Sequence, residues 1–174
     1  MNTNTKKTML LALAMLIFAL TAYAESRKQL NTTTVTNLDL QKFMGRWYEI
    51  ARLDNRFERG MTDVVAEYTL LDDGTIRIVN SGMRDGKYHQ TVGRGKVSSE
   101  VGRLRVSFFM FFFSDYNILE MAQDGQWVLV GGNSPKYLWI LSREKQLPAD
   151  VINHIIGLAR GRGYDTNALI FSAE

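Results

Sequence analysis

Side chains that could carry out catalysis are few and far apart in this sequence of 174 residues. It has two histidines, His89 and His154, and no cysteine. Acid–base and metal sites bring such groups together with a nucleophile or with further ligands, and the sequence around each histidine offers neither. Asp72-Asp73-Gly74 lacks the remaining ligands of a calcium loop and is typical of a tight turn. We therefore predict that the protein is not an enzyme and has no catalytic residue, metal site or cofactor.

The most pronounced chemical feature is apolar: five phenylalanines and one methionine run without a break from Phe108 to Phe113. Burying one such ring is worth roughly 1.5–3 kcal/mol, so exposing all of them would be costly. Three alternatives stay open. The rings pack on one another and on Met61, they form a rim that holds an apolar ligand, or they form a patch for self-association or membrane contact. Aggregation is a fourth, less favourable outcome.

The N-terminal residues have the pattern of an export signal. Lys6 and Lys7 precede an apolar run from residue 9 to residue 20, and Ala22-Tyr23-Ala24 is typical of a cleavage site. We predict a signal peptide over residues 1–24, a flexible polar lead-in over residues 25–36 and one domain over residues 37–174. Such a run is too short to span a bilayer comfortably.

Charge and cysteine content restrict the partners and the compartment. The formal net charge of +3 falls to +1 without the leader, which removes two lysines and no acid, so a nucleic-acid partner gains no support. The absence of cysteine excludes disulfides and an acyl anchor on an N-terminal cysteine. We expect an exported protein of the periplasm, with peripheral contact to the outer membrane as an option.

Short apolar runs separated by turn signals predict an all-β domain. Asp73-Gly74 and Asp124-Gly125 are tight-hairpin signals, because glycine takes positive φ at little steric cost. Eight strands are predicted, over residues 45–53, 63–71, 75–83, 88–97, 103–108, 115–122, 126–131 and 137–143.

One amphipathic helix is predicted after the last strand. Pro148 can begin it and Gly161 can end it, and between them the apolar residues form one stripe: Val151, Ile152, Ile155, Ile156 and Ala159. Eight sequential strands followed by one helix predict an antiparallel up-and-down barrel with the helix packed on its outer wall. A barrel of this size can hold one small ligand.

Three motifs in order resemble the lipocalin family, and most closely its bacterial outer-membrane and apolipoprotein D group. They are Gly45-x-Trp47 in GRWYEIARLDNRFERGM, Ser114-Asp115-Tyr116, and Arg143 at the end of YLWILSR. The resemblance covers nearly all of residues 37–171. It implies that Gly45, Trp47, Asp115 and Arg143 are structural residues that close one end of the barrel, with Arg143 lying across the indole of Trp47.

Strand direction then places the open end of the barrel. If the first strand starts at the closed end, residues 54–61, 84–87, 109–114 and 132–136 surround the opening. In the fifth and eighth strands the alternation favours one inward face, whereas in the sixth either Tyr116 or Asn117 can begin the inward set. Our candidate ligand contacts are Leu104, Val106, Phe108, Met110, Phe112, Tyr116, Trp139, Leu141 and Arg59.

The resemblance implies a carrier of fatty acids or lysophospholipids for the maintenance of the cell envelope under stress. Cationic side chains near the opening, Arg59 among them, would suit a phosphate or carboxylate headgroup. Two alternatives stay open. The cargo could be another small hydrophobic molecule such as a retinoid, haem or quinone. The Phe-rich loop, residues 109–113, could instead serve a homodimer, a protein partner or a membrane surface.

Overall fold

The computed structural model describes residues 30–109 and 112–172. The predicted signal peptide and the candidate contact Met110 lie outside the described residues. Within them, a short helix, α1 (Leu40–Phe43), precedes the sheet and a longer helix, α2 (Ala149–Gly161), follows the eighth strand. The strands are β1 (Gly45–Leu53), β2 (Thr62–Leu70), β3 (Ile76–Arg84), β4 (Lys87–Val97), β5 (Arg103–Ser107), β6 (Ser114–Met121), β7 (Trp127–Gly131), β8 (Leu138–Ser142) and β9 (Leu169–Phe171).

The first eight strands form a closed antiparallel barrel in which each strand pairs with its neighbours in sequence and β1 pairs with both β8 and β2. Strand β1 changes partner along its length. Its first half, residues 45–48, pairs with β2, and its second half, residues 51–53, pairs with the short strand β9. The barrel is thus fully paired around its closed end, hereafter the floor, and looser at the open end, hereafter the mouth.

The predicted strands are confirmed, and every end lies within one residue of its predicted position. Phe108 is a correction, because β5 ends at Ser107 and Phe108 begins the following loop. The apolar run gave no turn residue to mark that boundary. Strand β9 was not predicted, since its three residues are too few to show an alternating pattern.

Helix α2 packs on the outer wall through its predicted apolar stripe. Ile155 and Ala159 are fully buried against outward-facing side chains of three strands, among them Ala51, Leu129 and Ile140. Pro148 occupies the position before the first helical residue, as predicted, and the first turn carries Asp150, whose charge suits a helix N-terminus.

The described part of the predicted lead-in is hydrogen-bonded to the barrel. Thr34 donates its hydroxyl proton to the carbonyl of Val101 at 2.6 Å, and the Val35 amide donates to the carbonyl of Ile118 at 2.9 Å. The Val35 side chain packs against the interior cluster. Residues 34 and 35 therefore cover the floor from below.

Two glycines give opposite predictions for the packing around α2. A Cβ on Gly131 would lie 2.2 Å from the hydroxyl oxygen of Tyr164 and 2.9 Å from Leu119, whereas Gly157 in α2 has open space around it. We expect Gly131→Ala to lower the free energy of unfolding by about 1–3 kcal/mol through overpacking. Gly157→Ala should raise it by about 0.5–1 kcal/mol by favouring the helix. Urea unfolding of both variants tests this, and equal effects would contradict the packing.

Candidate ligand-binding site

The floor is built around Trp47, which is fully buried. Its indole N–H donates to the carbonyl of Phe43 at 2.9 Å, so the last residue of α1 fixes the orientation of the ring. The Phe43 ring lies 5.5 Å from that of Trp47 and 5.3 Å from that of Tyr68. Tyr68 and Tyr116 share a hydrogen bond of 2.8 Å between their hydroxyl oxygens, and burial raises the pKa of both, so they are neutral.

Arg143 holds the floor together from β8. Its guanidinium carbon lies 3.6 Å from the centroid of the Trp47 ring, the arrangement that the resemblance implied. The same group donates to four carbonyls: that of Arg46 at 2.7 Å, and those of Lys42, Phe43 and Met44 at 2.6, 3.2 and 3.0 Å. The carbonyls at the end of a helix lack intrahelical hydrogen-bond donors, and here Arg143 donates the missing hydrogen bonds.

Asp115 does not belong to this floor, which corrects the expectation from its motif. It lies at the start of β6, directly after the mouth loop, and its carboxylate pairs with Arg105 at 3.0 Å on the outer wall. The side-chain amide of Asn133, in the β7–β8 connection, also donates to Asp115. The tripeptide forms the first three residues of β6, which starts at the mouth, so the matching residues lie at the end of the barrel opposite the floor.

Five of the predicted contacts, Leu104, Val106, Tyr116, Trp139 and Leu141, face the barrel interior. Leu104 and Leu141 are buried, whereas Val106, Tyr116 and Trp139 keep part of their surface accessible while pointing inward. Inward side chains with accessible surface border space that other protein atoms do not fill. The open question in β6 is also answered: Tyr116 and Ile118 point inward, and a register shift after Ile118 turns Glu120 outward to Arg162 at 2.8 Å.

A buried ion pair lies inside the barrel, and the sequence analysis did not find it. Glu49 is 3% and Arg52 is 3% exposed, and an Arg52 Nη–H donates to a Glu49 carboxylate oxygen. The two residues are three apart and would face opposite sides of a regular strand. A register shift between Glu49 and Ala51 turns Arg52 inward opposite Trp139. Of the two residues, only Glu49 could be assigned to the interior from the sequence, because it lies two residues after Trp47 and therefore faces the same side of the strand.

The environment of Glu49 favours its protonated form. The pKa of its carboxyl is raised to about 7: burial is the largest cause, the nearby charge of Glu58 adds to the increase, and the charge and hydrogen bond of Arg52 oppose it. A carboxyl with this pKa takes up or releases a proton near neutral pH. The second carboxyl oxygen of Glu49 is buried and has no hydrogen-bond partner among the described residues.

The loop between β1 and β2, residues 54–61, folds over the mouth and brings Glu58 inward. Its carboxylate accepts from the indole N–H of Trp139 and from the Asn55 amide, both at 2.7 Å. Arg59, a predicted headgroup contact, points elsewhere: its side chain is 69% exposed and pairs with Asp54 at 2.8 Å. The structure therefore brings Glu58, not Arg59, to the interior.

The described part of the Phe-rich loop is largely exposed. Phe109 and Phe112 are 68% and 74% exposed, and Phe108 lies over Gly93 with 39% of its surface accessible. Close packing of these rings on Met61, the first of the three alternatives, is not what the described residues show, since the Met61 side chain lies against Gly82. A cleft of about 440 Å³ opens beside the loop, lined by Val92, Gly93, Arg94, Lys96, Ser107, Phe108, Phe109 and Phe113.

The two histidines lie on different elements. His89 is exposed on β4, and His154 lies on α2 with its ring 6.1 Å from that of Trp127 on the outer wall. Within residues 30–109 and 112–172, no group of three or more histidine, aspartate or glutamate side chains is placed to hold a metal ion.

A closed barrel with a Trp–Arg floor and inward side chains that keep accessible surface is of a size that can hold one small ligand. Comparison with known proteins gives the family. The sequence profile of the lipocalin-like domain matches residues 38–174. The chain belongs to the lipocalin family.

The similar proteins fall within the predicted group. The chain is 37% identical to the outer membrane lipoprotein Blc of Vibrio cholerae, over 79% of this chain and 83% of that protein. It is 35% identical to Blc of Escherichia coli K12 over 93% and 94% of the two chains, and 31% identical to apolipoprotein D of Rattus norvegicus over 68% of each. Insecticyanin of Manduca sexta shares the fold, with a TM-score of 0.68 at 20% identity over 83% and 85% of the chains.

The floor gives a stability prediction. Arg143→Met removes the hydrogen bonds to four carbonyls and the contact with Trp47. We expect it to lower the free energy of unfolding in urea by about 3 kcal/mol, because the carbonyls lose their partners. The control is Arg46→Met, which breaks an exposed pair with Glu67 and should cost less than about 1 kcal/mol. Equal losses in the two variants would contradict the role given to Arg143.

Glu49 gives a pH prediction. Because folding raises its pKa from 4.5 to about 7, its stabilising contribution is complete below about pH 4.5 and is lost as the pH rises through about 7. We expect the unfolding free energy of the wild type to fall between about pH 5 and about pH 8 by about 3 kcal/mol more than that of Glu49→Gln. Urea unfolding at the two pH values measures this. Parallel pH profiles would show that Glu49 keeps its ordinary pKa.

Proposed function

We propose that the protein binds a single-chain amphiphile, a fatty acid or a lysophospholipid, inside its barrel and carries or stores it in the cell envelope, for membrane maintenance under stress. It acts as a binding protein, not as an enzyme, in keeping with the general role of lipocalins. The observation that carries this proposal is the set of inward side chains with accessible surface: Tyr116 in the floor, and Val106 and Trp139 above it. They offer an apolar wall to a ligand that enters from the mouth.

Energetics favour an acyl chain as the ligand. Transfer of a chain of about 16 carbons into such a wall gains up to about 12 kcal/mol before the cost of association is subtracted. That cost is at least several kcal/mol, so affinities between micromolar and nanomolar follow. A retinoid, haem or quinone is wider than an acyl chain. The aromatic residues of the floor, Phe43, Trp47, Tyr68 and Tyr116, fill the lower part of the barrel and leave less room for a wide ligand.

We place the protein in the periplasm, in peripheral contact with the outer membrane. The two Blc relatives are named as outer membrane lipoproteins, and this sequence has no cysteine that could carry their kind of anchor. Among the described residues, no helix combines the length and the apolar composition needed to cross a bilayer.

A second role follows from the exposed rings at the mouth. Phe57 is 60% exposed on the β1–β2 loop, and Phe109 and Phe112 are exposed on the β5–β6 loop, both at the end of the barrel from which a lipid would enter. We propose that these rings contact a membrane surface or a second copy of the chain during transfer of the ligand. Aromatic side chains that are apolar and exposed together usually mark an interaction site.

Blocking the barrel tests the carrier proposal. Val106→Trp places a large ring in the interior beside Tyr116 and should lower the affinity for lysophosphatidylcholine at least about tenfold, because the acyl chain loses its space. Native mass spectrometry or calorimetry measures the affinity, and the mass of any lipid retained from the host identifies the cargo.

The matched control is Val101→Trp, which places the same ring on an exposed position of the β4–β5 connection and should bind as the wild type does. Circular dichroism confirms that both variants are folded. Unchanged binding in a folded Val106→Trp variant would contradict the carrier role and favour surface binding through the exposed rings. If the bound lipid differs in mass from the lysophosphatidylcholine that was added, the protein has modified it chemically, which would contradict a role as a binding protein without catalysis.

A further inference from the structure

Two guanidinium groups reach the mouth from separate strands and meet the same loop. Arg52 of β1 donates to the carbonyl of Glu58 at 2.9 Å, and Arg84 of β3 donates to the carbonyl of Phe57 at 3.1 Å. Arg84 lies an even number of residues after Ile76 and Ile78, which point into the barrel. Because the β3–β4 register is unbroken between them, Arg84 is on the same inward face. The two side chains therefore converge on consecutive residues of the β1–β2 loop.

Each of these arginines keeps an unused donor. The Nε–H groups of Arg52 and Arg84 are buried and have no hydrogen-bond partner among the described residues. An unpartnered buried donor is costly, and one on a charged group is more so. Buried donors of this kind are satisfied when an acceptor such as a ligand oxygen arrives.

The charges at the mouth are unequally paired. Arg52 is paired with Glu49, but in residues 30–109 and 112–172 Arg84 has no carboxylate within salt-bridge distance, and the carboxylate of Glu58 has no cationic partner. Glu58 instead accepts from two neutral donors, Trp139 and Asn55. Of these four groups, Arg84 and Glu58 are thus without an ionic partner, and both are tied to the same short segment, residues 57 and 58.

Aromatic rings stand beside the negative member of this pair. Tyr137 stacks on Trp139 with an interplanar angle of 10° and a centroid distance of 6.1 Å, and Phe57 lies 6.3 Å from Tyr137. Rings of this kind attract ammonium groups, and a carboxylate next to them strengthens the attraction.

We propose that Arg84 and Glu58 form a subsite for a zwitterionic headgroup, with Arg84 binding the phosphate and Glu58 the ammonium of a single-chain phospholipid. This rests on the proposed function, and it adds the residues that choose the headgroup. A guanidinium forms charge-assisted hydrogen bonds with phosphate oxygens, for which the free Nε–H of Arg84 is available. An anionic lysolipid with the same phosphate would satisfy Arg84 but would leave Glu58 without a cationic partner.

The test compares four probes with the same acyl chain: lysophosphatidylethanolamine, lysophosphatidylglycerol, hexadecanoate and hexadecanol. We expect the wild type to bind the zwitterionic lysolipid about tenfold or more tightly than the anionic one. Glu58→Gln keeps an acceptor for Trp139 and Asn55 but removes the charge, and should bring that ratio close to one. Arg84→Gln should weaken both lysolipids about tenfold and change hexadecanol binding less than about twofold.

Matched controls use charges on the outer faces of β2 and β3. Arg77→Gln on β3 and Glu67→Gln on β2 are exposed and should leave all four affinities unchanged. If Arg84→Gln fails to fold, Arg84→Lys takes its place in the test. It keeps the positive charge and should retain the preference for lysolipids over hexadecanol. Thermal unfolding monitors the fold of each variant.

The outcomes separate this proposal from the carrier proposal. Equal binding of the two lysolipids by the wild type, or an unchanged ratio in Glu58→Gln, overturns the headgroup subsite and leaves the carrier role intact. Failure of all four probes, hexadecanol included, overturns the carrier role and the subsite with it.

Discussion

The contact of Arg143 with Trp47 is the constraint on which the rest of the structure depends. The guanidinium of Arg143 covers one face of the indole and also donates hydrogen bonds to the carbonyls at the end of α1. The first helix, the first strand and the last barrel strand are therefore joined at one point. With the floor closed, the accessible interior has one open end. The ligand entry and the headgroup position that we propose both depend on that asymmetry.

Above the floor, the interior is divided by polarity. Aromatic and aliphatic side chains surround the lower part, and a band of charge formed by Glu49, Arg52, Glu58 and Arg84 lies on the β1–β3 side of the upper part. Buried charges are costly unless they are paired, and this band is paired only in part. An amphiphile matches such a division, because its chain replaces nothing polar and its headgroup brings the missing partners. The loop over residues 54–61 holds this band in place.

The sequence predicted the strands, the outer helix and the floor, because each depends on local alternation, turn residues or a short motif. It did not predict the inward turn of Arg52, since alternation assigns Glu49 and Arg52 to opposite faces and only a register shift unites them. It misplaced Asp115, because three matching letters carry no information on which end of a strand they occupy. Arg59 was a reasonable candidate by charge, but only the folded loop shows that Glu58 points inward instead.

Where the chain of the ligand lies is the central question, and three tryptophans allow a direct measurement. Trp139 lines the interior, Trp47 forms the floor, and Trp127 contacts His154 on the outer wall. Two variants that both keep Trp47, one with Trp127→Phe and one with Trp139→Phe, can be titrated with a lysolipid brominated along its acyl chain. We expect strong quenching of Trp139 fluorescence and little quenching of Trp127. Stronger quenching of Trp127, or none at either position, would contradict an acyl chain inside the barrel.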